Sequence, residues 1–125
     1  MFSVVIPLYN KELSIQNTIL SVLNQSYQNF EIVIRLIHQD NQGVSAARNR
    51  GIKEANYEWI AFLDGDDEWS TQHLEEILKM ILIYPEDKVF VTSFEYSDKR
   101  PMFKHNRASK IFKIDNYFKE ALHEQ

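Results

Sequence analysis

Apolar residues fall along the chain in two kinds of block. Short runs rich in β-branched residues, at residues 3–10 (SVVIPLYN), 30–34 (FEIVI) and 57–63 (YEWIAFL), read as buried strands. Between them the apolar positions recur at helical spacing. Ile15, Ile19, Val22 and Leu23 form the stripe of a first helix, which Asn10 is placed to cap and which should fade near residues 24–27. A second helix is expected at about residues 44–55, where Val44, Ala47, Gly51 and Ala55 give a small-residue face suited to close packing on a sheet. Leu74, Ile77, Leu78, Ile81 and Leu82 predict a third, capped by Ser70 or Thr71 and stopped by Pro85. Residues 88–96, with their Val, Phe and Tyr, predict a further strand, and residues 111–122 a short terminal helix. Strands alternating with helices predict an α/β fold, three-layer α/β/α, with a mostly parallel sheet.

Two positions disturb this pattern. Pro7 cannot donate to a strand ladder, so the first strand should end there or leave the sheet. Ile34 runs into Arg35-Leu36-Ile37-His38-Gln39 with no turn residue between. Read as continuous, residues 30–37 make one eight-residue strand, a permitted length. The expectation adopted is instead that a loop belongs between Ile34 and Arg35 that the chain as written omits.

The third strand ends abruptly. In the stretch from Ile60 to Trp69, an apolar run meets four acids and a glycine within five positions, Asp64 to Glu68. Ligands of parallel α/β sheets bind at the C-terminal ends of strands. Clustered carboxylates repel, and either water or a divalent cation must offset the cost. The residues alone leave two readings: a metal site, or a solvated acidic turn that caps the next helix. Arg48 sits early in the second helix, where a cation does not help the helix dipole. It calls for an anionic ligand or a neighbouring carboxylate.

Composition narrows the classes. A chain of 125 residues fits one domain with a real core. A net charge of −4 argues against general nucleic-acid binding. With no cysteine there is neither a disulfide framework nor a thiolate metal site, which fits a reducing compartment. No apolar run approaches a membrane span, and Met1-Phe2-Ser3 lacks the basic start of a signal peptide. These features predict a cytoplasmic protein, with the inner face of the cell membrane as a second location. The basic residues between 99 and 113, free of acids, read as a solvated loop or as a surface for a phosphorylated acceptor or an anionic membrane.

Five stretches, in this order, resemble family 2 glycosyltransferases of the GT-A fold. They are Val4-Val5-Ile6-Pro7-Leu8-Tyr9-Asn10, Ser21-Val22-Leu23-Asn24-Gln25-Ser26-Tyr27, Phe30-Glu31-Ile32-Val33-Ile34, Asn41-Gln42-Gly43-Val44-Ser45-Ala46-Ala47-Arg48-Asn49 and Ile60-Ala61-Phe62-Leu63-Asp64-Gly65-Asp66-Asp67. One Asp-x-Asp alone is common by chance; five ordered pieces over residues 4–67 are specific. The resemblance implies transfer of a sugar from a nucleotide-diphosphate donor to a saccharide, lipid-linked or other hydroxyl acceptor, with inversion, as in polysaccharide biosynthesis. It implies Mn²⁺ or Mg²⁺ on Asp66, with Asp67 helping, and Asp64 near the ribose or the metal. Tyr9 would pack on the nucleobase, Pro7 and Leu8 would shape that pocket, Arg48 would contact the nucleotide, and Gly65 would let the turn aim both flanking acids at one site. By this reading residues 1–125 form a single, truncated GT-A domain, with a donor-binding part at 1–96 and an extension toward the acceptor part at 97–125.

The chain departs from the family twice. The acidic Asp-Asp-Gly-Ser type sequence that holds the base after the second strand is missing, at the place where the chain runs without a turn. The general base that the family carries in its later half has no identifiable counterpart, so the catalytic residue is unknown. A nucleotidyltransferase is disfavoured because Pro7-Leu8-Tyr9-Asn10-Lys11 has no glycine to cradle a phosphate. A nucleotide-sugar-binding module without catalysis stays open. So do plainer roles for single residues: a surface salt bridge for Arg48, a core aromatic for Tyr9, packing for Trp69, and surface or capping positions for His38 and His73.

Overall fold

The computed structural model describes residues 1–9, 15–37 and 43–92. It contains β1 (Phe2–Tyr9), α1 (Ile15–Leu23), β2 (Phe30–Ile37), α2 (Gly43–Glu54), β3 (Trp59–Phe62) and α3 (His73–Ile83). The strands form one sheet in the order β2-β1-β3, and both pairings are parallel. The chain steps from β1 to β2 on one side, then crosses back over β1 to reach β3. Right-handed crossovers in opposite directions place α1 and α2 on opposite faces of the sheet. This is the expected layered α/β arrangement. By contacts the chain divides into two compact units, residues 1–79 and 80–125.

The core of the first unit lies on the central strand. Phe2, Val4, Val5 and Ile6 are buried on both faces of the sheet, together with Val22, Ala47, Leu63 and Leu74. A strand covered on both sides reads as a continuous apolar run, which is why β1 was legible. Each fully buried Val or Ile contributes about 1.5–3 kcal/mol relative to exposure. The small face of α2 does what its residues suggest. A methyl placed on Gly51 would overlap Val5 Cγ1, so the helix rests on the strand at that point without a side chain between them.

Pro7 does not end β1. The strand continues to Tyr9, paired through Pro7↔Arg35 to Tyr9↔Ile37. The Val5 carbonyl accepts from the Leu63 N–H on the β3 side, whereas the Phe2 N–H donates to Asn29 on the β2 side. Two residues after Val5, the nitrogen of Pro7 therefore faces β3, whose pairing with β1 stops at Val5↔Phe62. The missing donor falls where no ladder bond is needed.

No loop separates Ile34 from Arg35 in the chain as written, which takes the continuous form of the strand at residues 30–37. β2 runs unbroken over both residues and stays in register with β1 to Ile37. A β-branched run with a neighbour to pair with and no turn residue has no reason to leave the sheet. Arg35 then forms an ion pair with Glu54 on α2.

The strand expected at residues 88–96 is not found over its described part, residues 88–92. Val89 and Val91 are 81% and 63% exposed, and strand-forming composition without a partner strand gives no ladder. In the second unit the described residues continue α3, whose end is marked by Tyr84 N–H donating to Met80, one residue before Pro85. The terminal helix, the basic stretch, Asn10 and His38 lie outside the described residues.

Candidate functional site

The C-terminal edge of the sheet gathers the end of β1, the loop after β3 and the first turns of α2. Asp64 follows β3 directly, since the Leu63 N–H still bonds to Val5 of the central strand. The Asp67 N–H then donates to the Asp64 carbonyl at 3.0 Å and closes a tight turn. Carboxylate oxygens of Asp64, Asp66 and Asp67 come within 4.8 Å of one another. Asp64 is half-buried, and Asp66 and Asp67 are exposed. Partial burial, then the charges of Asp66 and Asp64, push the Asp67 carboxyl above its usual range. Three hard oxygen donors converging in this way match the preference of Mg²⁺ or Mn²⁺.

Arg48 answers the question its position raises. Its Nη2 donates to Asp64 Oδ1 at 2.9 Å, and its guanidinium carbon stands 5.9 Å from the centre of the Phe62 ring. The Nε of Arg48 is buried without a hydrogen-bond partner among the described residues. So the structure joins Arg48 to a carboxylate, as one of the sequence readings required, and leaves one donor free beside the acids.

Pro7 is buried and Leu8 half-buried among the last residues of β1, on the same sheet edge by register. Tyr9 closes that strand, and its side chain is outside the described residues. Gly65 is buried, but it is not the glycine with left-handed backbone; among the described residues that is Gly43, at φ 64°. The turn is shaped instead from below, by α1. Trp69 packs with its ring on His73, with centroids 4.4 Å apart and planes inclined by 18°. His73, at the start of α3, is the stacking partner of that ring, and burial lowers its imidazole below the usual range.

Sequence reasoning missed Thr18, Ser21 and Gln25. Thr18 and Gln25 are buried, and all three bond to the segment that follows Asp64. The available signal was a polar stripe at spacing i, i+3, i+7 beside the apolar stripe of the first helix.

Comparison with known proteins follows the same lines. The family described as Glycosyl transferase family 2 matches residues 3–35 and 33–124. The two matched segments meet inside β2, where the chain lacks the family's acidic sequence. An uncharacterised glycosyltransferase of Haemophilus influenzae is 35% identical over 66% of this chain and 42% of its own length. A putative teichuronic acid biosynthesis glycosyltransferase of Bacillus subtilis, TuaG, is 30% identical over 66% of this chain and 42% of its own. In fold the chain resembles S. aureus TarS 1-349 in complex with UDP-GlcNAc, with a TM-score of 0.69 at 21% identity over 83% of this chain and 38% of that one. The chain spans less than half the length of each of these three proteins.

Proposed function

This chain belongs to glycosyl transferase family 2, with its GT-A type fold, and from that premise we propose that its acidic turn holds the diphosphate of a nucleotide-sugar donor through a divalent cation. The observation that carries the reading is the convergence of Asp64, Asp66 and Asp67 within 4.8 Å at the end of a parallel strand. Asp66 and Asp67, the exposed pair, are the ligands. Asp64, held by Arg48, faces the ribose or the metal. Arg48, 2.9 Å from Asp64, places a positive charge beside the acids, in reach of an anionic ligand held there. Pro7, Leu8 and Tyr9 shape the nucleoside pocket at the end of β1, with Gly65 under the turn.

When bound, the cation supplies charge neutralisation to the diphosphate as the sugar bond breaks. This chain's residues orient the donor: Asp66 and Asp67 through their carboxylates, Arg48 through its guanidinium. The acceptor is a saccharide, a lipid-linked sugar or another hydroxyl compound, and the naming of TuaG for teichuronic acid biosynthesis favours cell-surface polysaccharide. The group that takes the acceptor's proton is not assigned. Residues 1–96 are proposed as the donor-binding part of the domain and 97–125 as its extension toward the acceptor part. Among the described residues no helix is long and apolar enough to cross a membrane, and the location proposed is the cytoplasm, up to the inner membrane face.

The test is thermal melting with UDP, the nucleotide of the TarS ligand, with and without Mn²⁺. Ligand at about 100 times its dissociation constant adds roughly 2.7 kcal/mol to stability. UDP with Mn²⁺ is expected to raise Tm, and Asp66→Ala to lose the metal-dependent part of the rise. No shift in the wild type, or a full shift in Asp66→Ala, refutes the site.

A further inference from the structure

Residues 64–72, between β3 and α3, pair with no strand, yet side chains of the α1 region reach their backbone at four positions and that of Leu74 in the first turn of α3. Thr18 Oγ1 lies 2.6 Å from the Asp67 carbonyl and 3.0 Å from that of Gly65. Ser21 Oγ accepts from the Trp69 N–H at 3.1 Å, while its own proton goes to the Thr18 carbonyl at 2.7 Å. Gln25 Nε2 donates to the Ser70 carbonyl at 2.6 Å, and Gln25 Oε1 accepts from the Leu74 N–H at 2.9 Å, which caps the first turn of α3. Among the described residues the buried polar side chains are Ser3, Thr18 and Gln25. Two of these three are therefore spent on residues 65–74, Thr18 on the acidic turn itself and Gln25 on the residues that follow it. A buried hydroxyl or amide is costly unless its bonds are made, so evolution of a plain packing face would favour apolar residues there.

We infer that Thr18, Ser21 and Gln25 are positioning residues for the cation site: they fix the main chain of residues 65–74 and thereby the separation of the Asp66 and Asp67 carboxylates. The inference rests on the proposed cation site. Thr18 is the nearest of the three, since its one hydroxyl proton goes to the carbonyl of Asp67 itself at 2.6 Å, with that of Gly65, the residue between the flanking acids, 3.0 Å away as its alternative acceptor. A carboxylate pair spaced by a fixed backbone presents its oxygens to a cation without first being ordered. A loosened turn would relax its three like charges apart, and each cation bound would have to gather them again. Groups that orient metal ligands from behind typically change affinity by about 10–100-fold when removed.

The experiment is a Mn²⁺ titration of the 125-residue chain with saturating UDP, followed by the electron paramagnetic resonance signal of free Mn²⁺, well below the melting temperature. Thr18→Val keeps the side-chain shape and removes the hydroxyl; Thr18→Ser restores it; Ser21→Ala removes the acceptor for Trp69. The expected result is a tenfold or greater loss of Mn²⁺ affinity in Thr18→Val, a smaller loss in Ser21→Ala, and an affinity within about threefold of wild type in Thr18→Ser. If Thr18→Val does not fold, Ser21→Ala decides. Lower Tm with unchanged Mn²⁺ affinity overturns the inference, because the contacts then serve only the fold. Equal losses in Thr18→Val and Thr18→Ser overturn it too, because the hydroxyl is then not the agent. Wild-type protein that takes up no Mn²⁺ refutes the cation site itself, a result distinct from either.

Discussion

Arg48 Nη2 donates to Asp64 Oδ1 at 2.9 Å and ties the second turn of α2 to the residue that follows β3. The two side chains are 38% and 44% exposed, so the pair is solvated, and such pairs contribute at most about 1 kcal/mol. Its value to the fold is small, and its position beside three carboxylates is the reason to expect a ligand role. Arg48→Ala should lower Tm by no more than a few degrees. It should weaken UDP binding in the presence of Mn²⁺ by about tenfold or more, the size of one charge-assisted hydrogen bond. Isothermal titration separates the two effects, and an unchanged UDP affinity would reduce Arg48 to a surface salt bridge.

Gly51 and Val5 form the closest approach of α2 to the central strand. In an open helix Gly→Ala is favourable by about 1 kcal/mol. Here the added methyl would overlap Val5 Cγ1, and Val5 is fully buried. Overpacking costs about 1–3 kcal/mol, so Gly51→Ala should destabilise on balance. Val5→Ala makes room, and the double variant should recover part of the loss. A double-mutant cycle in denaturant measures the coupling; a value near zero would mean the helix can shift freely.

Glu31 links three segments at the other end of the sheet. It accepts from Ser3 Oγ at 2.6 Å, from the Asn56 N–H at 2.7 Å and from Asn56 Nδ2 at 2.9 Å. The bond from Ser3, then those from the Asn56 backbone and side chain, hold its carboxyl below the usual range. A carboxyl whose folded value is depressed adds stability above its unfolded value, and that stability is lost as pH falls through the folded value. Glu31→Gln should therefore lower Tm at neutral pH and make less difference in acid. Melting curves of both proteins between pH 7 and pH 3 check this; parallel curves would remove Glu31 as a source of acid sensitivity.

The unbroken β2 predicts weak discrimination among bases. The acidic sequence that holds the base in the family is absent, and the strand passes through its place to Ile37. UDP, GDP and dTDP are therefore expected to bind within about tenfold of one another, a difference of 1.4 kcal/mol or less. A larger preference in nucleotide-dependent melting would point to another base-reading group.

The sequence by itself determined the three strands, the three helices and the parallel α/β class. Those follow from local periodicity: a run such as Val4-Val5-Ile6 can be satisfied only by burial, and helical spacing of apolar residues only by one face. It also singled out the acidic turn, because like charges placed together are locally conspicuous. Tertiary structure decided what depends on neighbours. Pro7 stays in a central strand because β3 has already ended beside it. Ile34 and Arg35 stay in one strand because β1 offers continuous partners. Residues 88–92 form no strand, since ladder bonds come from a partner and not from composition. Thr18, Ser21 and Gln25 acquire a role only when the fold brings α1 against residues 65–74, some 47 to 49 positions on in the chain for the bonds that Thr18 and Gln25 make to Gly65, Asp67 and Leu74. No local pattern encodes a contact over that separation, and the grip on the acidic turn is legible only in three dimensions.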